Sequence, residues 1–365
     1  MKVGILFRGE TDGGVTRYLK NIIQEMIKLK VNLHIFTNDS SVYNIFKDST
    51  IHFIPGKNIL MWDYLKLPPV VAKARLDVLI FPKDVIPFVF YWSKMKRVVI
   101  VHDLGYFEDA DYYPFRDRIY RKLLMKSSLK KSDAIIAVSG HTKKDIIRIF
   151  GINKKKISVI CEAVESRFKR VTNKIKLNRT IKKFNIKIPF ILYTGSITPR
   201  KNILRLLQAF NVIKHKIPHN FYIAGSKQWR SKDVLDYISI NLSERVKLLG
   251  YVDDDDLICL YSLSDLYLYP SLYEGFGLPI LEAQACGCPV LASNKTSCPE
   301  VSGKGAFLIN PKSIDEMKDG ILKILRNKKY KITLVRQGYE NTKRFNWKKS
   351  ALELVEVCED VCNEE

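Results

Sequence analysis

The chain has no long apolar run: nowhere in its 365 residues does it approach the ~18–20 residues that span a bilayer, which excludes a helical membrane span. The opening stretch Met1–Phe7 is too short, and too soon interrupted by Arg8, to read as a signal peptide. Histidine is scarce, and no His accompanies either close cysteine pair, Cys286/Cys288 or Cys358/Cys362. Neither spacing builds a tetrahedral metal site, so the seven scattered cysteines read as reduced thiols of a cytosolic protein without metal. There is no short-period repeat and no low-complexity tract. Acid is in deficit, 38 Asp+Glu against 61 Lys+Arg, leaving a formal charge of +23. An excess of that size points to a polyanionic partner: nucleic acid, an anionic membrane face or a phosphate-bearing substrate. No nucleic-acid-binding module is recognisable and the charge is spread rather than striped, which sets nucleic acid aside.

Apolar residues (46%) and charged residues (27%) sit near globular averages, and the length suits two domains. Short apolar runs alternate with longer amphipathic stretches, the pattern of β-α units on a parallel sheet. Val3–Phe7, Val31–Thr37, Val78–Phe81, Val98–Val101 and Ala134–Val138 read as strands of a first series; a glycine loop (Gly9, Gly13, Gly14) and a helix from about Val15 to Leu29 follow the first of them. Phe190–Thr194, Asn220–Ala224, Lys247–Leu249, Leu266–Tyr269, Val290–Ala292 and Phe307–Ile309 form a second series. The fold class is therefore α/β, with two doubly wound domains, at residues 1–165 and 190–345. Between them Glu165–Pro189 holds nine Lys/Arg and one acid, so residues 166–189 are expected to be a basic linker. Trp347–Val361 reads as an amphipathic helix, with residues 346–365 expected to cross back onto the N-terminal domain.

The most informative segment runs Ser271-Leu-Tyr-Glu274-Gly275-Phe276-Gly277-Leu278-Pro279-Ile-Leu-Glu282. Pro279 suits the first position of a helix, so Gly275–Leu278 form a tight loop feeding a helix N-terminus, where free N–H groups and the dipole favour phosphate. Glu282 is expected in the first turn and Glu274 at the loop's start. Two acids beside a phosphate pocket make electrostatic sense if they grip hydroxyls, as on a sugar or ribose. A second constellation, Tyr193-Thr-Gly195-Ser196-Ile-Thr-Pro199-Arg200-Lys201-Asn202, runs from a strand through a turn to two adjacent cations at a helix start. Arg forks two phosphate oxygens and Lys supplies a compact charge, so the pair suits a diphosphate at a solvent-lined cleft. The acidic run Asp253–Asp256 is expected to cap a helix rather than hold a metal, and no Asp-x-Asp stands at a strand end.

EGFGLPILEAQACGCPV, within Ser271–Val290, together with PRKN at Pro199–Asn202, resembles glycosyltransferase family 4, and most closely its bacterial mannosyl- and rhamnosyltransferases of O-antigen and capsule assembly. The likeness extends to His102-Asp103, Ala137–Lys143, Gly250-Tyr251-Val252, Pro299-Glu300-Val301 and Phe345-Asn-Trp347. It implies the GT-B fold, two Rossmann-like domains facing across a cleft, with the N-terminal one binding the acceptor. It also implies a cytoplasmic retaining hexosyltransferase that needs no metal or cofactor and uses a nucleotide-sugar donor, GDP-mannose ahead of a UDP-hexose, with a saccharide or lipid-linked saccharide as acceptor. By the same resemblance Arg200 and Lys201 bind the donor diphosphate, Glu274 faces the donor sugar and Glu282 grips the ribose. Phe276, Gly277 and Leu278 offer N–H groups, while Gly13 and Gly14 approach donor phosphates and acceptor. His102 lines the sugar pocket and Asp103 either orients it or caps the loop. Gly195, Tyr251 and Val252 complete the expected substrate-binding set. A nucleotide-sugar epimerase or a catalytically dead relative is the rival within the fold. A nicotinamide oxidoreductase is disfavoured because Gly9–Gly14 does not spell G-x-G-x-x-G. Finally, Arg118, Arg121, Lys122, Lys126 and Lys130 are expected on one side of a helix, with Ile119, Leu123 and Leu129 elsewhere, a face suited to the anionic inner surface of the plasma membrane.

Overall fold

The computed structural model describes residues 1–8, 13–113 and 115–364, the side chains of 110, 116, 117 and 120 excepted. Gly9 of the glycine loop lies outside the described residues. The chain divides into two compact units: Met1–Glu108 with Phe115–Glu162 and Asn346–Glu365, and Asp109–Pro114 with Ala163–Phe345.

The first unit is built on a wholly parallel sheet of β1 (Lys2–Phe7), β2 (Asn32–Thr37), β3 (Thr50–Phe53), β4 (Val78–Phe81), β5 (Lys96–Val101), β6 (Ala134–Ala137) and β7 (Ile157–Val159), in the order β3-β2-β1-β4-β5-β6-β7. Strands covered on both faces are apolar throughout, and β4 and β6 are buried at every residue. The order reverses between β1 and β4. At such a switch point the flanking loops leave in opposite directions and open a crevice at the carboxyl ends of the strands.

The second sheet comprises β8 (Phe190–Thr194), β9 (Asn220–Ala224), β10 (Val246–Gly250), β11 (Leu266–Tyr269), β12 (Val290–Ser293) and β13 (Ala306–Ile309), also parallel, in the order β10-β9-β8-β11-β12-β13. Its switch point lies between β8 and β11, the two strands that lead into the expected site loops. The Ile203–Ile213 helix turns Leu206, Leu207, Phe210 and Ile213 onto this sheet, a helical spacing that buries one face.

The final helix, Trp347–Asn363, belongs to the first unit. Asn346 caps it by accepting from the Lys348 and Lys349 N–H groups. Its inward stripe Trp347, Ala351, Leu354, Cys358 and Val361 is buried, with the Trp347 ring edge-on to Tyr18 at 5.5 Å and the Ser350 hydroxyl donating to the Cys161 carbonyl at 2.7 Å.

Two expectations need correction. The stretch 166–189 contains a helix, Lys174–Phe184, within the second unit rather than a bare linker. The acidic run opposes it: Lys183 pairs with Asp253 and Asp256, Lys176 with Asp255, and the Thr180 hydroxyl donates to Asp256 at 2.6 Å. The same run caps its own helix, Asp253 accepting from the Asp256 N–H at 2.9 Å. On the Phe115–Lys131 helix, Arg121 turns inward to pair with Asp84 and lie over the Tyr106 ring, while Ile119 and Leu123 share the exposed side with Lys122, Lys126 and Lys130.

Candidate active site

In the second unit β8 ends at Thr194 and the chain reaches Pro199–Lys201 as a single tight turn. Asn202 closes that turn in a left-handed conformation, φ 60°. The strain is offset by its side chain, which donates to the Pro270 and Pro311 carbonyls at 3.1 and 2.6 Å. The turn is thereby tied to the loop after β11, and Leu272 N–H donates to the Arg200 carbonyl at 2.9 Å. These ties set Arg200 and Lys201 against Glu274. Arg200 Nη1 lies 2.8 Å from Glu274 Oε2, and Lys201 Nζ lies 2.6 Å from Oε1. Arg200 also donates to the Tyr273 carbonyl, and Lys201 sits over the Tyr269 ring at 5.1 Å.

The cluster is more enclosed than expected. The side chains of Arg200, Lys201 and Glu274 are only 16, 12 and 8% exposed, so these are not simple surface cations. Burial alone would raise the Glu274 carboxyl, but the Arg200 and Lys201 charges outweigh it and hold it at about 2, against an ordinary 4.5. Burial lowers the Lys201 ammonium, with Glu274 opposing and Arg200 adding to the effect. A carboxyl depressed on folding contributes stability above its unfolded value and loses it as pH falls. Glu274→Gln should therefore flatten the loss of stability between pH 4.5 and about 2. Urea midpoints of the two proteins across that range test this; parallel curves would contradict the pairing.

The backbone around Glu274 is held from beneath. Its N–H donates to Thr296 Oγ1 at 3.1 Å, and the buried Ser297 hydroxyl reaches the Glu274 and Phe276 carbonyls at 3.0 and 2.6 Å. Gly277 then takes φ 109°, open to glycine, and starts the helix Leu278–Ala285. That helix has no acid in its first turn: Glu282 falls in the second, a correction to the expected placement. Glu282 is buried and accepts from the Tyr261 hydroxyl at 3.2 Å; Tyr261 in turn meets Thr194 Oγ1, which also meets the Tyr267 hydroxyl. Phe276 is buried edge-on to Phe345 at 5.7 Å.

Gly195 and Gly225 bring the ends of β8 and β9 together. Gly195 N–H donates to the Ala224 carbonyl and Gly225 N–H to the Gly250 carbonyl, at 2.8 and 2.7 Å. Val252, just past β10, is buried and Tyr251 is exposed. Thr296 and Ser297 are the contributors that sequence reading missed. Gly225, a glycine directly after a strand, does carry a signal in the sequence.

In the first unit His102 stands past the end of β5. Its Nε2 is 3.1 Å from the Pro82 carbonyl, its Nδ1 is 3.4 Å from Glu162, and its ring lies 4.9 Å from Tyr18. Asp103 accepts from the Gly105 N–H at 3.1 Å, which matches a loop cap. Gly13 precedes the Gly14–Lys28 helix, with no side-chain cap and no first-turn acid. Beside it a cavity of ≈ 280 Å³ opens at the switch point, lined by Gly13, Gly14, Thr16, Phe81, Lys83 and Arg121 among others. Among the described residues no group of three His, Cys, Asp or Glu could hold a metal ion.

Comparison with known proteins places this geometry. Residues 174–359 match the family described as "Glycosyl transferases group 1", and residues 12–168 match "Glycosyltransferase Family 4". O-antigen chain mannosyltransferase B of Escherichia coli is 32% identical over 257 residues, 69% of this chain and 67% of that protein. The serotype-specific mannosyltransferase WbdA of Escherichia coli is 29% identical over 278 residues, 74% of this chain. The chain spans only 33% of WbdA's length. In three dimensions a glycosyltransferase from Rickettsia africae covers 100% of the chain, which covers 99% of it, at 17% identity and a TM-score of 0.78. Anabaena Alr3699/HepE, solved with UDP and glucose, covers 99% and is covered over 100%, at 17% identity and a TM-score of 0.78. With two Rossmann-like parallel sheets of the GT-B type and both family regions present, the chain belongs to the glycosyltransferases of group 1 and family 4.

Proposed function

We propose that the protein is a retaining mannosyltransferase that takes mannose from GDP-mannose and passes it to a saccharide or lipid-linked saccharide in the cytoplasm. The observation that carries the reading is the enclosed Arg200–Lys201–Glu274 cluster beside a helix N-terminus, together with relatives named as mannosyltransferases. Cleavage of the bond between the anomeric carbon and the phosphate oxygen leaves charge on the nucleotide diphosphate. Arg200, Lys201 and the N–H groups of Gly277 and Leu278 are fixed before the reaction and would meet that charge without reorganising, an effect worth several kcal/mol (about 3 per donor removed). Glu274, ionised at neutral pH, would accept from donor-sugar hydroxyls, and Glu282 from those of the ribose.

The acceptor hydroxyl attacks from the face the phosphate leaves, and its proton passes to the departing phosphate oxygen, so no enzymic nucleophile is required. We assign the acceptor to the cavity at Gly13 and Gly14, with His102 lining the sugar pocket rather than carrying a proton, since both ring nitrogens already have partners. Gly195, Tyr251 and Val252 are assigned to the nucleotide end. A UDP-hexose is the second candidate donor, because Alr3699/HepE was solved with UDP and glucose.

A thermal-shift panel of GDP, UDP, ADP and dTDP sugars in EDTA tests both the donor and the lack of a metal requirement. A donor at a hundred times its Kd should stabilise by ~2.7 kcal/mol. GDP-mannose should give the largest shift, and turnover should persist in EDTA. A larger UDP-sugar shift would move the assignment to the second donor. A strict Mg²⁺ or Mn²⁺ requirement would remove the leaving-group role given to Arg200 and Lys201.

A further inference from the structure

Three segments of the first unit leave large apolar side chains in water. On the Phe115–Lys131 helix Ile119 and Leu123 are exposed, Leu123 to 71%. Trp92 is 77% exposed and Phe88, on the same loop, 54%. In the stretch before the Leu67–Ala74 helix Leu60 and Leu65 are exposed, Leu65 to 66%. The segments adjoin: the Tyr64 and Phe88 rings lie 4.8 Å apart, and the Tyr91 hydroxyl is 3.1 Å from Ser127 Oγ on the helix. Scattered exposed apolar residues need no explanation, but a cluster drawn from three connected segments marks a surface that is covered in use.

What covers it follows from charge. Residues 57–66, 86–96 and 115–131 contain eleven Lys/Arg and two Asp, and one of these acids, Asp63, is buried against Arg8. Lys122, Lys126 and Lys130 are exposed on the same helix side as Ile119 and Leu123. An apolar surface interleaved with lysines suits a bilayer interface, where apolar groups enter the acyl boundary and ammonium groups stay at the anionic headgroups. Tryptophan favours the same depth. Among the described residues no helix is long and apolar enough to cross a membrane, so such contact would be interfacial.

We infer that the Leu60–Leu65, Phe88–Trp92 and Ile119–Lys130 segments together form a docking surface for an anionic lipid bilayer. The inference does not rest on the donor or acceptor assignment: Arg121, which turns inward and lines the cavity assigned to the acceptor, is not part of the surface, and none of the residues substituted below lines that cavity.

The test is co-sedimentation with vesicles of phosphatidylcholine, alone or mixed with phosphatidylglycerol, at low and high salt. Wild type should bind the mixed vesicles, bind neutral ones weakly, and lose affinity with salt as headgroup charge is screened. Charge reversal at Lys122, Lys126 and Lys130 should cut binding at least about tenfold. Leu65→Ser with Trp92→Ser should abolish the salt-resistant fraction. Trp92 emission should shift to the blue on binding, and the shift should disappear in Trp92→Phe. Turnover on a water-soluble acceptor should stay at the wild-type level in every variant, which separates loss of docking from misfolding. Equal sedimentation of wild type and the charge-reversed protein would overturn the inference. So would a concentration-dependent dimer that Leu65→Ser/Trp92→Ser renders monomeric, since a second copy would then be the occupant.

Discussion

Alanine at Arg200 should lower turnover by about two to three orders of magnitude, the usual loss when one preorganised group facing a developing anion is removed. Lys201→Ala should do the same. The geometry adds a second consequence. Each cation is at most 16% exposed and shares Glu274, so either truncation leaves a buried carboxylate with one partner. Breaking a buried pair by removing one partner costs about 3–5 kcal/mol even where the intact pair contributes little. Stability and turnover should therefore fall together in the single variants. Adding Glu274→Gln to Arg200→Ala separates the two effects. The urea midpoint should recover, because the uncompensated charge is gone, while turnover should not, because the cation proposed to face the diphosphate is still missing. If both alanine variants turn over at near the wild-type rate, the leaving-group role is wrong.

The contrast between local and distant information explains how much of this was legible. The inner strands of the second sheet, β8, β9, β11 and β12, stood out as apolar runs because they are covered on both faces, while its partly exposed edges, β10 and β13, still carry the short apolar runs Leu248-Leu249 and Phe307–Ile309. Two strands of the first sheet, β3 and β7, were not read. They are its edges, only four and three residues long, and half-exposed, so they lack the continuous apolar signal. The site motifs were readable for a different reason: Pro199–Asn202 and Glu274–Glu282 are contiguous, and proline, glycine and charge at fixed offsets state their local geometry. Their pairing was not readable. Arg200 and Glu274 are 74 residues apart, and nothing local says that the carboxylate neutralises the cations. The lysine-rich stretch failed in the same way. Read alone it was a solvated linker; its partner acids, Asp253 and Asp256, lie about 70 residues downstream of Lys183. On the Phe115–Lys131 helix the cation stripe was seen, but the inward turn of Arg121 required Asp84 and Tyr106 from elsewhere in the fold.

Gly225 gives the second large effect, and it too comes from a contact between segments far apart in the sequence. A Cβ built there would stand 1.9 Å from the Gly195 carbonyl oxygen and 2.5 Å from its carbon. Both atoms are backbone, so no rotamer change relieves the clash. The strand ends must part, and the Gly195 N–H to Ala224 and Gly225 N–H to Gly250 hydrogen bonds sit at that seam. Gly225→Ala should accordingly destabilise the protein by about 3 kcal/mol or more, at the upper end of overpacking costs. It should also weaken GDP binding, because Gly195 opens the loop that leads to Arg200 and Lys201. Gly14→Ala is the matched control for stability: nothing lies within 4 Å of the added carbon, and the residue is already helical. There alanine should be neutral or slightly stabilising, since it replaces glycine at a helical position. Urea midpoints of the two variants, with GDP titrated into each while it is still folded, check both statements. A Gly225→Ala protein with the wild-type midpoint would mean that the two strand ends can separate freely, and the nucleotide end of the site would then have to be drawn without that seam.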